Sequence, residues 1–116
     1  MKLPEALKIE EEAFKKRQDI RIRKAKDYAN EEDCLQNFKK IAQLCRALDI
    51  DVTRPSGVAI KDALLKMDRL CNLIFRKGII NPENESVEDT INDLQNYIDL
   101  FRECLKEEQN AQSNKG

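Results

Sequence analysis

The chain has 116 residues, 37% of them charged, with three Gly, three Pro, no Trp and no His. That length holds one domain, and the scarcity of Gly and Pro removes the turns an all-β fold needs. Without His there is no Ser/His or Cys/His nucleophilic pair and no His-ligated zinc, and the 21 Lys plus Arg nearly balance the 22 Asp plus Glu, so the charge supports no global nucleic-acid or membrane footprint.

The first helical segment spans about residues 4–26. Pro4 suits a first turn, and Leu7, Ala13, Phe14, Ile20, Ile22 and Ala25 make a thin apolar stripe. A helix so weakly held by its own core is expected to pack on a second copy, so a homo-oligomer is expected. A break follows at 26–30, with Asn30 placed to cap the next helix.

The second helix is expected over 31–48, with Leu35, Phe38, Ile41, Ala42, Cys45 and Leu48 at helical spacing. Residues 49–57 read as a loop around Arg54-Pro55-Ser56-Gly57. The third helix is expected over 58–77, with an apolar face of Ile60, Ala63, Leu64, Met67, Leu70, Cys71 and Ile74, stopped by Gly78.

A second loop over 78–85 contains Asn81-Pro82-Glu83-Asn84. Ser86 is placed to cap the fourth helix, with Asp89 completing a carboxylate capping box. Val87, Ile91, Leu94, Ile98, Phe101 and Leu105 then repeat in steps of four and three, a bundle seam running to about residue 109. The polar stretch 110–116 reads as a disordered tail. The organisation is thus a charged helix (1–26), a helical domain (27–109) and a tail, and the fold class is an all-α, four-helix bundle-like arrangement. Four scattered cysteines, Cys34, Cys45, Cys71 and Cys104, read as small core residues of a reduced cytoplasmic protein. No signal peptide and no apolar run of the roughly 18 residues needed to span a membrane is visible.

Polar residues on or beside the apolar faces are the candidate site. Asn37 points into the apolar arc of the second helix, where its amide needs either a structural partner or a ligand. Lys66 flanks the apolar face of the third helix, free to snorkel or to reach a phosphate; Asp68 lies on the other flank, and Arg69 and Asn72 face further out. On the fourth helix Glu85, Asp89, Asp93 and Asn96 form a stripe beside the seam, with Asp93 deepest, next to Tyr97. Asp89 and Asp93 stand four apart and repel, so a divalent cation such as magnesium, or Lys66, is expected to compensate. A solvated acidic face near a helix N-terminus accounts for the same residues.

Lys26-Asp27-Tyr28, Asn37-Phe38, Lys66-x-Asp68-Arg69-Leu70 and Glu85-Ser86-x-x-Asp89-Thr90-x-x-Asp93-Leu94-x-Asn96-Tyr97 together resemble the nucleotide-modification-associated domain of phage and prophage proteins, over about residues 24–105. The resemblance implies a role with nucleotides in a bacterial or phage-infected cell. A more distant similarity is to the all-α nucleoside triphosphate pyrophosphatases, the MazG and dimeric dUTPase group, which hold magnesium on E-x-x-E and E-x-x-D motifs. Asp93 matches the aspartate of the second motif, Thr90 replaces its glutamate, and the second and third helices carry no E-x-x-E.

Three expectations follow. A magnesium-dependent (d)NTP pyrophosphohydrolase would hold metal on Glu85, Asp89 and Asp93, use Lys66 and Asp93 in catalysis, and position the nucleotide with Asn37, Asp68, Asn96 and Tyr97. A non-catalytic module would bind or sequester a nucleotide in the same pocket. A helical assembly domain would use neither.

Overall fold

The computed structural model describes residues 1–28 and 32–115. They form an all-α, four-helix bundle-like fold, and no described residue lies in a strand. The helices are α1 (Leu3–Tyr28), α2 (Gln36–Ala47), α3 (Pro55–Cys71) and α4 (Glu85–Lys115), and α3 runs on into a π-helical turn, Asn72–Arg76. No described helix is long and apolar enough to cross a membrane.

α3 and α4 form the most extensive helix pair. The buried apolar residues of both are small, Ala59 and Ala63 on α3 and Val87 on α4, with Thr90 of α4 beside them in the buried set. Small side chains let two helix axes approach closely. Thr90 has no exposed surface, and its hydroxyl donates to the Ser86 carbonyl oxygen at 2.6 Å, which satisfies the one polar group it brings inside. Ile41 of α2 and Leu73 of the π turn complete the buried apolar set.

The helix ends differ from the sequence reading in instructive ways. The expected cap Asn30 lies outside the described residues, and α2 begins at Gln36, five residues after the expected start at 31. Asp33 accounts for the delay, since its carboxylate accepts the Leu35 amide at 3.1 Å and holds a turn there. α3 begins at Pro55, inside the expected loop, because Arg54 is extended (φ −98°, ψ 146°) and Pro55 occupies the first helical position. α4 is capped by Asn84, not Ser86: the Asn84 side-chain oxygen accepts the Ser86 and Val87 amides at 3.1 and 3.3 Å. α4 also continues through the stretch expected to be a tail, as far as Lys115.

Glu108 lies far along α4, within the part of the helix that the sequence pattern already predicts. Its carboxylate accepts the Ser56 amide at 3.0 Å, the Ser56 hydroxyl at 2.7 Å and the Arg54 guanidinium at 2.7 Å. It therefore caps the N-terminus of α3 from another helix, where free amides and the helix dipole favour an anion. The Ser56 amide and hydroxyl, then Arg54, hold the Glu108 carboxyl below its ordinary value of 4.5. A depressed carboxyl contributes stability above its unfolded-state value and loses it as pH falls through the folded one. The melting temperature should drop on acidification below about pH 4.5. Glu108→Gln should melt several degrees lower at neutral pH and show a flatter acid limb in a melting-temperature profile against pH.

α2 ends in a left-handed residue, Asp49 (φ 54°). Ile50 donates to the Cys45 carbonyl at 2.9 Å and Asp49 to that of Arg46 at 3.3 Å, the paired bonds of a Schellman stop. An L-residue in this conformation costs about 1 kcal/mol that glycine does not. Asp49→Gly should therefore raise the melting temperature by roughly 4–8 °C, read by circular dichroism.

Two expectations about the core are corrected. Leu35, Phe38 and Leu48 of the α2 stripe are exposed, because no helix covers that side of α2. Cys34 and Cys71 are also exposed, and only Cys45 and Cys104 are half-buried; all four are free thiols. α1 has no buried residue at all.

Candidate functional site

The end of α1 is tied to the start of the π turn. Buried Asn72 donates its amide to the Lys26 and Asp27 carbonyl oxygens at 3.2 and 2.5 Å, satisfying acceptors that the last turn of α1 leaves free. Arg69 pairs with the Asp27 carboxylate at 3.1 Å and Lys77 approaches it at 3.4 Å. Arg69 and Asn72 thus face α1 and not solvent, a correction to their placement by helical projection. The projection counts only α3's own apolar residues, whereas these two are covered by a different helix.

This anchoring sets Tyr28 against α3. The Lys66 ammonium donates to the Tyr28 hydroxyl at 3.2 Å and lies 3.6 Å from Asp93 on α4. The Tyr28 ring also faces two cations, with Arg69 at 5.6 Å and Lys66 at 5.9 Å from its centroid. Burial pulls the Lys66 pKa down, but Tyr28 and then Asp93 outweigh it, so the ammonium titrates above its ordinary 10.5. Lys66 is therefore a fixed, half-buried cation at neutral pH.

Lys66 stands on the wall of an open cleft of about 640 Å³ between the second half of α1, the start of α2 and α3. Arg17, Arg21 and Lys24 project from α1 into the same space, and the described lining residues include four cations and no carboxylate. Ile20, Leu35 and Phe38 are exposed apolar residues on its walls. Asn37 also lines it, only 7% exposed, with no side-chain hydrogen bond among the described residues. The Asn37 amide atoms are not among the buried unpartnered ones, so the amide is reached by solvent and can bond whatever fills the cleft.

The other expected site residues are placed as follows. Asp68 is buried and bound by Lys40 at 2.6 Å, with its second oxygen unpartnered among the described residues, and it does not line the cleft. Glu85, Asp89 and Asn96 are exposed, Tyr97 is half-buried, and none of the four lines the cleft. Asp93 touches the site only through Lys66. Among the described residues no three His, Cys, Asp or Glu side chains gather as a metal-binding group.

The sequence reading did not single out Arg17, Arg21 and Lys24. Their signal was present: spacings of four and three put them on one helix face with Ile20 and Tyr28. They were hidden because the segment reads as a uniformly charged helix. In comparisons with known proteins, no family model, no curated protein and no solved structure matches the chain.

Proposed function

We propose that the cleft binds a nucleotide and that the protein acts as a nucleotide-binding module. The observation that carries this reading is the meeting of Tyr28, Asn37 and Lys66, from three separate sequence motifs, in one cleft with Arg17, Arg21 and Lys24. The motifs are those that resemble the nucleotide-modification-associated domain. The chemistry suits the parts of a nucleotide: clustered cations for phosphates, an unpartnered amide for a base edge or sugar, and the exposed Phe38 ring for a base face.

Binding is preferred to hydrolysis because the carboxylates that would hold magnesium are elsewhere. Glu85 and Asp89 are exposed on α4 outside the cleft lining, and Asp93 is engaged with Lys66. Isothermal titration with nucleoside mono-, di- and triphosphates, with and without magnesium, tests the reading. The expected result is a one-to-one complex that weakens with each phosphate removed and forms without magnesium. No heat with any nucleotide would refute it. Release of pyrophosphate during the titration would transfer the assignment to a magnesium-dependent pyrophosphohydrolase.

A further inference from the structure

α1 carries a second pattern that the cleft does not use. On a helical projection Leu3, Ala6, Leu7, Glu10, Ala13 and Phe14 occupy the same arc as Arg17, Arg21, Lys24 and Tyr28. The second half of that arc faces the cleft; no residue before Arg17 lines it. Leu3, Leu7 and Phe14 are 70%, 54% and 50% exposed, so the first half is an apolar stripe without a partner in its own chain. Charge is segregated along the helix as well. The first half carries Glu5, Glu10, Glu11 and Glu12 against Lys8 and Lys15, whereas the second half carries Lys16, Arg17, Arg21, Arg23, Lys24 and Lys26 against Asp19 and Asp27.

We propose that α1 pairs antiparallel with α1 of a second copy of this chain. The first half of the partner's helix then lies along the open mouth of the cleft, over its exposed apolar residues Ile20, Leu35 and Phe38. Only the antiparallel arrangement sets each acidic half against a basic half; a parallel pair would oppose like with like. It is also isologous, so a single two-fold operation satisfies both stripes at once. Full overlap of the two helices sets Ala6 against Ala25 and Glu10 against Arg21, so Arg21 pairs across the dimer at the cleft mouth while Arg17, Lys24 and Lys66 stay with the cleft. Buried Asn37 and half-buried Lys66 remain below this cover, so the partner completes a wall that one chain leaves open.

Sedimentation equilibrium of the full chain without added nucleotide tests the pairing independently of any ligand. The expected result is twice the chain mass at micromolar concentration. Phe14→Glu should give the single-chain mass with unchanged helicity, since Phe14 is exposed within one chain. Glu10→Arg and Arg21→Glu should each weaken the dimer roughly tenfold or more, and the double variant should restore it. A wild-type chain that sediments singly, or a dimer untouched by Phe14→Glu, overturns the proposal. Failure of the double charge variant to recover overturns the antiparallel orientation.

Discussion

Gly57→Ala is expected to lose a large share of the folding stability. Gly57 is buried in the first turn of α3, and a Cβ built on it would fall within the van der Waals radii of the Asp51 carbonyl oxygen and carbon. Intrinsic propensity argues the other way, because alanine is about 1 kcal/mol better than glycine inside a helix. The clash decides the sign, because the opposing atoms are backbone and cannot rotate away. The loop that carries them is also fixed. The Schellman stop holds it at Ile50, and the Asp51 carboxylate accepts the Thr53 amide and hydroxyl at 3.0 and 2.5 Å. Forcing atoms into such a site costs about 1–3 kcal/mol or more, a large share of the roughly 5–15 kcal/mol that holds a domain together. Thermal and urea melts of Gly57→Ala beside Gly78→Ala would check this. Gly78 needs its positive φ of 73° but has open space around it. Its substitution should cost only about 1 kcal/mol. A Gly57 variant no worse than the Gly78 variant would contradict the close approach.

Lys66→Met is the substitution expected to damage nucleotide binding most. The Lys66 side chain is one-fifth exposed and held by Tyr28 and Asp93, so its charge is positioned before any ligand arrives. Arg17, Arg21 and Lys24 stand on α1, whereas Lys66 reaches the cleft from α3, so an anion there would be held from two helices. Loss of a charge-assisted hydrogen bond of about 1.5–3 kcal/mol corresponds to roughly 10- to 100-fold weaker binding. Methionine keeps much of the stem's packing, so the fold should persist in a melting experiment. Lys106→Met, on the exposed side of α4, is the matched control and should bind as the wild type does. Equal affinities in the two variants would remove Lys66 from the site.

How far the site was legible can be seen residue by residue. Asn37 reads as a polar side chain in an apolar arc, and it is buried. Lys66 and Asp93 were the charges closest to apolar faces, and they meet. These were readable because a helix has one period, and a polar residue out of phase with it stands out. Asn72 was misplaced because its partner is the end of α1, which no local pattern in α3 announces. Asp89 and Asn96 share a stripe with Asp93, yet one turn of helix is enough to carry them past the cleft.

The amino-acid sequence by itself determined the helical class, the approximate helices and the polar residues out of phase, because these follow from short-range periodicity and composition. Tertiary structure alone decided which charges share a space. Arg17, Arg21 and Lys24 read as solvated helix surface until Asn72 and Arg69 dock the end of α1 beside α3. Glu108 carries no signal of its own in the sequence, and α4 brings it to the first turn of α3. Each of these contacts joins residues more than forty positions apart, and such pairings depend on how whole helices pack, which the period of any one helix does not encode.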